Sequence, residues 1–213
     1  MRMGRITDIP ALVEINTRAI KALGSEGLFM PMSETFFRDV ISARLSFVLE
    51  RERRIVGYSI AVPVGASHPV FWDTDRSKIG LLFGTALDRG MWHKGWQRWL
   101  VNLRRRAFEA LGFDEVQCTV SPFNVPSLFN LIEAEFEIIG LKSLLDGHPR
   151  FIVRHLFGGQ HRGPPADLQQ QRQELSSDLA PHAAFLQQGY RGVKIHRSEP
   201  VMISYSKPKD DPK

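Results

Sequence analysis

An α/β fold, a mixed sheet flanked by helices, is what the sequence predicts, and two observations carry it. Strand-like runs alternate with amphipathic helical runs through residues 1–157, in the order strand, two helices, hairpin, strand, long helix, strand, short helix, two strands. At 213 residues and 43% hydrophobic content, the chain is long enough for one large domain or a domain with an appendage.

The elements follow in order. Met3–Ile6 reads as a short strand. Thr7 and Asp8 then offer caps, and Pro10 sits where a first helical turn tolerates it. Ile9, Leu12, Val13, Ala19, Ile20 and Leu23 fall largely on one helical face, and Gly24 stops the helix. Asn16 lies in register with that face and is expected at its boundary. A weaker helix is expected over Ser33–Ala43. Ser46–Arg51 and Arg54–Val64, rich in Val, Ile, Phe and Tyr and separated by Glu52-Arg53, form a hairpin signal, with Pro63 marking its end. A loop from Gly65 to about Arg76 leads to a third apolar run, Ile79–Leu87.

The most regular helix follows Gly95. Trp96, Trp99, Leu100, Leu103, Ala107, Ala110 and Leu111 recur at spacings of three and four, and Gly112 is a left-handed cap. Trp96 and Trp99 are expected to pack inward, while Trp92, outside the helix, is the better pocket candidate. Arg104, Arg105 and Arg106 point in three directions, which predicts a solvated face rather than a continuous nucleic-acid stripe. Glu115–Val120 then reads as a buried strand, Val125–Ala134 as a short helix, and Phe136–Leu141 and Phe151–Phe157 as two strands joined through Asp146-Gly147. Gly158–Pro165 reads as a linker. The Gln- and Leu-rich residues 166–187 predict a helix, Gly189 breaks it, and Val201–Tyr205 is a last strand. The tail Lys207–Lys213 is expected to be disordered. Phe185–Gly192 faintly echoes the helix-to-strand junction around Phe136.

Composition excludes some classes. No apolar run approaches the roughly 18–20 residues of a membrane span, and the N-terminus lacks a secretory signal's apolar stretch. A single cysteine, Cys118, forms no internal disulfide, so a cytoplasmic location is expected, with Cys118 as a small buried residue. No cysteine pairs or His and acidic clusters stand at ligand spacing, so no metal is expected. His148, His155, His161 and His196 are scattered and read as surface or turn histidines. The net charge of +5 and pI near 9.6 attract anions, nucleic acid or a nucleotide-bearing cofactor among them, without choosing between them.

Chemistry concentrates at the junction LDRGMWHKGWQRWL. A strand stopping just before a long helix leaves unpaired amides at the helix's first turn, and the helix dipole makes that turn an anion site. Gly90 and Gly95 let the backbone approach a ligand, and Lys94 and Arg98 add charge, an arrangement that suits a phosphate or pyrophosphate.

The ordered set of patterns resembles the GNAT superfamily of acyl-CoA-dependent N-acyltransferases. That family's pyrophosphate loop usually reads Arg-Gly-x-Gly-x-Gly or Ala. Here Trp92 takes the arginine position, His93 the first glycine, Gly95 the central glycine and Gln97 the last small residue. The form Gly95-Trp96-Gln97-Arg98-Trp99-Leu100 resembles a Gly-x-Gln variant of one bacterial subset. RITDIPALVEI, RRIVGYSIAV and the stretch from Asn124 through Ser127-Leu128 and Phe136 to Arg150-Phe151-Ile152 resemble other parts of that subset, so residues 2–157 are covered well and the rest loosely. The resemblance implies a GNAT fold: a central, mostly antiparallel twisted sheet over residues 1–157, with 158–206 as a helix-strand extension on the same domain. It further implies that two splayed strands admit the cofactor's pantetheine arm. Ala86 and Leu87 would then offer backbone hydrogen bonds to the arm. Amides of Lys94, Gly95, Trp96, Gln97 and Arg98 would hold the pyrophosphate, with Asn124 and Ser127 contacting the cofactor near the splay.

The implied reaction is direct attack of an amine, on a small molecule or peptide, upon acetyl-CoA or another acyl-CoA. Two departures bear on catalysis. Leu131 stands seven residues after Asn124, where many relatives have a tyrosine that protonates the leaving thiolate. Ile79–Leu87 holds no acid to act as base, although Asp88, Asp73 and Asp75 lie nearby, so no catalytic residue is assigned. A catalytically inactive GNAT-like scaffold that binds nucleic acid or a protein is the alternative. The 65–76 loop and the C-terminal segment are the places for an acceptor wall or a homodimer contact.

Overall fold

The computed structural model describes residues 1–64, 72, 78–144, 147–158 and 171–208. Ten strands make one sheet: β1 Arg2–Met3, β2 Ser46–Arg51, β3 Arg54–Pro63, β4 Ile79–Leu87, β5 Glu115–Val120, β6 Glu137–Leu144, β7 His148–Leu156, β8 Gln171–Glu174, β9 Arg191–His196 and β10 Met202–Ser206. Five α-helices accompany them: α1 Ile9–Leu23, α2 Glu34–Ser42, α3 Trp96–Ala110, α4 Val125–Glu133 and α5 Ala180–Gln187. The strand order is β1-β2-β3-β4-β5-β7-β6-β9-β10-β8, with β4 and β5 parallel and the other recorded pairs antiparallel.

Successive strand residues point to opposite faces, and the core divides accordingly. Leu81 joins Leu12, Ile15, Phe37, Tyr58 and Ile60 beneath α1 and α2. Its neighbour Leu82 joins Val101, Phe108, Leu128, Phe136 and Phe151 on the side of α3, α4 and α5. Each such side chain, fully buried, contributes about 1.5–3 kcal/mol. Ser33 caps α2 by accepting from the Phe36 amide, and Gly24 ends α1 at φ 75°. The β2–β3 turn holds Glu52 and Arg53 at φ 51° and 61°, the two left-handed residues of a tight hairpin.

The long central helix has a different buried face from the one its periodicity suggests. Leu100, Val101, Arg104 and Phe108 point inward, while Trp96, Trp99 and Leu111 are exposed. Two apolar stripes run along α3, and tertiary packing chooses between them. Phe108 fills the space above Gly80, where a Cβ would lie 2.7 Å from its ring. Arg104, expected on a solvated face, is buried.

Other expectations are corrected too. Residues 171–174, expected to be helical, form β8, because β10 offers an antiparallel partner (Met202↔Glu174 to Tyr205↔Gln171). Among the described residues of that stretch, the helix is confined to α5, with Pro181 in its first turn. Strand β9 carries no strong strand pattern, since Arg191 and Lys194 interrupt it, yet it pairs along β10 and touches β6 at Ile138↔Gly192. Its helix-to-strand junction repeats that of α4 and β6: Tyr190 donates its amide to Phe185 O at 3.0 Å, as Phe136 does to Leu131 O at 3.1 Å. Asn16 is buried rather than at a boundary. His155 is buried, with Nδ1 3.0 Å from Glu135 O and its ring packed on Phe136 and Phe157. Among the described residues, no helix is long and apolar enough to cross a membrane, and no group of three metal-ligating side chains is found. The 65–76 loop apart from Trp72, with Asp73 and Asp75, and Asp146, His161 and the tail from residue 209 lie outside the described residues.

Candidate functional site

The site begins with a fault in the sheet. Ser59 pairs with Thr85 and Ala61 with Leu82, so two steps along β3 match three along β4, a bulge at Phe83–Gly84 opposite Ile60. A bulge strands carbonyls, and here Arg104 reaches through from α3 to satisfy them. Its Nη1 donates to Ile60 O at 2.8 Å and Phe83 O at 3.0 Å, and its Nε to Leu100 O at 3.2 Å. Burial pushes this guanidinium down to about 10, still well above neutrality. Beyond the bulge β4 bends away from β5: their recorded pairing runs from Ile79↔Glu115 only to Leu82↔Cys118.

The separated strands wall a cleft of about 1500 Å³. Asp88 donates its amide to Val56 O on β3. Alternation along an antiparallel pair then turns the backbone groups of Thr85 and Leu87 away from β3, toward the cleft, and those of Ala86 toward β3. The indole Nε1 of Trp92 agrees, reaching Leu87 O at 2.8 Å from that side. Trp92 thereby plugs the strand end, half-buried against Leu49, Leu87, Met91 and Leu100.

After β4 a short 3-10 turn, Arg89–Met91, leads into α3. His93 at φ 58° and Gly95 at φ 76° shape the entry, and Gly95 occupies the N-cap with no side chain capping the first turn. With no cap and no acidic residue in that turn, the amides of Trp96, Gln97 and Arg98 offer an anion site. Gln97 spans to α4: its Nε2 donates to Ser127 Oγ at 3.0 Å, and its Oε1 accepts from Asn130 at 2.9 Å. Asn124 caps α4, its Oδ1 accepting from the Ser127 amide at 3.2 Å, and its Nδ2 reaches Leu28 O at 3.4 Å.

The structure thus brings Ala86, Leu87, Gly95, Trp96, Gln97, Arg98, Asn124 and Ser127 to one cleft. Lys94 is not in the lining; its ammonium turns back onto Gly90 O at 2.7 Å. Arg98 is held by Glu133 at 2.6 Å, and Glu133 also takes Arg197 at 3.1 Å. Leu131, in the position of the family's tyrosine, is buried in the cleft wall. Cys118 also lines the cleft, and burial pushes its thiol up to about 11.

The side roofed by the α1–α2 connection was not legible beforehand. Asn16 organises it: Nδ2 donates to Met30 O at 3.2 Å and Tyr58 Oη at 2.9 Å, while Oδ1 accepts from the Met32 amide at 2.9 Å. This fixes Leu28, Phe29, Met30, Met32 and Phe36 as an apolar roof over Phe83 and Gly84. Gly84 lets the roof sit close, since a Cβ there would lie 2.3 Å from Met32 Cε and push that side chain aside. Arg150 on β7 supports the roof by donating to Gly27 O. Asp88, considered as a base, is bound to Arg18 at 2.6 Å and does not line the cleft. Glu133 is the one acid among the described lining residues.

No protein-family model matches the chain, and no curated protein matches its sequence. Solved structures do match its fold. The ribosomal-protein-S18-alanine N-acetyltransferase from Escherichia coli is 20% identical with a TM-score of 0.55, over 74% of this chain and 94% of that one. The ribosomal-protein-alanine N-acetyltransferase from Brucella melitensis is 17% identical with a TM-score of 0.56, over 73% and 98%. A chain of the NatC complex bound to Gag peptide and CoA is 14% identical with a TM-score of 0.55, over 74% and 97%. At these identities the likeness concerns architecture, and the chain has the GNAT fold.

Proposed function

We propose that this protein is an acyl-CoA-dependent N-acyltransferase, with acetyl-CoA as the donor and a small-molecule or peptide amine as the acceptor. The observation that carries the reading is the backbone of Phe83–Leu87, which loses β5 after Leu82↔Cys118 and faces a cleft ending at the uncapped start of α3. A pantetheine arm, with its two amides, can take the place of the missing strand along Thr85 and Leu87. Ala86 adds its side chain to the wall. The pyrophosphate then meets the amides from Gly95 to Arg98, with Lys94 on the outer side of the loop, and Asn124 and Ser127 close the opposite wall. The NatC complex, one chain of which is similar in fold, is bound to a peptide and CoA, which supports CoA as the carrier and a peptide amine among the acceptors.

The chemistry follows from alignment. The amine nitrogen attacks the thioester carbonyl carbon, the C–N bond forms, the C–S bond breaks, and coenzyme A leaves as the thiolate. With Leu131 in the wall, the thiolate takes its proton from solvent. With Asp88 held by Arg18 and Glu133 held by Arg98 and Arg197, the amine loses its proton to water.

The arginines of α3 give the nucleic-acid alternative less support. Arg104 is buried, Arg98 pairs with Glu133, and Arg105 pairs with Glu135 at 3.2 Å, so α3 presents no basic stripe. Calorimetry with acetyl-CoA and longer acyl-CoAs tests the proposal: saturable 1:1 binding is expected, and no heat at high micromolar concentration rejects it. A thiol-release screen across amines follows.

A further inference from the structure

Resting on the acyl-transfer reading, we infer that the acceptor is an amine whose apolar body carries a carboxylate, and that Arg150 binds that carboxylate. Arg150 is 4% exposed, yet its side chain lines the cleft beneath the α1–α2 roof. Among the described residues, only Nη1 has an acceptor, donating to Gly27 O. Nε and Nη2, the pair that forms a side-on fork, have no protein acceptor among the described residues. Neither is among the polar atoms of the described residues sealed off without a partner, and the residue lines the cleft. Burial pushes this guanidinium down, and no carboxylate of the described residues pairs with it.

A buried cation with a free fork is costly unless a ligand fills it, and a carboxylate fits the fork with two parallel hydrogen bonds. The surroundings agree. Lys142, directly across the β6–β7 ladder from Arg150, brings a second positive charge to the lining, its Nζ 4.7 Å from the centre of the Trp72 ring. The one acid of the described lining, Glu133, is held between two arginines. An acceptor with a second ammonium meets like charge here. One with a carboxylate and an apolar body meets Arg150 on one side and Phe29, Met32 and Leu144 around it.

The test compares acceptors matched except for the carboxylate, at three spacings: phenylalanine with phenethylamine, 4-(aminomethyl)benzoate with benzylamine, and 6-aminohexanoate with pentylamine. Coenzyme A release is followed with acetyl-CoA at saturation. In the wild-type protein the carboxylated member of at least one pair should show roughly 10- to 100-fold higher kcat/KM. Arg150→Gln should bring that ratio near one while leaving acetyl-CoA affinity unchanged, and Arg150→Lys should keep part of it. If Arg150 serves only to hold Gly27, both members of a pair fall together and the ratio stays. That result overturns the inference, as does a wild-type ratio at or below one for all three pairs. Binding of the N-acetylated products to the CoA-loaded wild-type protein gives the same comparison without a variant, and equal affinities again reject it. Failure to bind acetyl-CoA would instead reject the acyl-transfer reading itself.

Discussion

Replacing Asn16 with leucine removes the device that fixes the cleft roof. Met30 O and the Met32 amide lose their partner at once, and Tyr58 Oη is left with only its donation to Met32 Sδ at 3.6 Å. Buried polar groups left unpaired cost about 1–3 kcal/mol each. The roof can relax toward water and recover part of this, which leaves a loss of about 2–4 kcal/mol. A chain of 213 residues unfolds with an entropy of about 0.45 kcal/mol/K, so Tm should fall by about 4–9 °C. Tyr58→Phe, which spares Asn16's bonds to the Met30 carbonyl and the Met32 amide and loses the weak donation to Met32 Sδ, should cost about 1 kcal/mol. Asn16→Asp adds a pH signature. An un-ionised carboxyl can still donate to Met30 O, whereas a carboxylate turns a lone pair toward it. Burial raises the folded-state pKa of such a group, so the variant should be least impaired at acidic pH and worsen as pH rises. Calorimetric melting across pH, with steady-state kinetics, measures all three. Acceptor KM should rise more than acetyl-CoA KM, because the roof stands on the acceptor side. A Tm within 1 °C of wild type for Asn16→Leu would refute the reasoning.

Gly80→Ala drives a Cβ to 2.7–2.8 Å from three atoms of the Phe108 ring, which is itself packed on Phe113 at 4.7 Å. It should cost about 1–3 kcal/mol by overpacking, and Phe108→Leu in the same chain should recover part of that; a purely additive double mutant contradicts the packing. Cys118, with its thiol pushed up to about 11, exposes about one thiolate in a thousand at pH 8. Labelling by a disulfide reagent should therefore be slow, faster as pH rises, and slowed further by acetyl-CoA; brisk labelling at pH 8 unaffected by acetyl-CoA would count against its place in the cleft wall. With no free carboxylate in the described lining, and with His93 at the entry to α3 rather than under the roof, kcat/KM for the acceptor should climb tenfold per pH unit up to the amine's own pKa, about 8 for an α-amine. A bend near pH 6–7 that stays put when the amine is changed would reveal an enzyme base.

Much of this architecture is legible in the chain because local physics decides it. Ile79–Leu87 and Glu115–Val120 are bounded by turn residues, and Gly95 stands where the helix must begin. The α3 face is harder. The spacing joins Trp96, Trp99, Leu103 and Ala107 to Leu100, of which Leu100 alone is buried, and it passes over Val101 and Phe108. The choice rests on the bulge carbonyls that draw Arg104 inward and on the space above Gly80, both set by strands far away in sequence. For the same reason the loop before α3 suggests an anion site, but the splay does not show, since it is a matter of where β4 and β5 stop pairing. Strand β8, with the sequence Gln171-Arg172-Gln173-Glu174, carries no strand pattern at all; β10 supplies it. Arg150 looks like an ordinary strand residue until Gly27 is placed above it.

Amide hydrogen exchange along β4, with and without acetyl-CoA, tests the cleft most directly. In the free protein the Ala86 amide, paired toward β3, should exchange slowly, and the Thr85 and Leu87 amides faster. Saturating acetyl-CoA should slow Thr85 and Leu87 while leaving Ala86 little changed, together with protection of the amides from Gly95 to Arg98. Binding without protection of Thr85 and Leu87 would mean that the arm does not replace the missing strand, and would contradict the account.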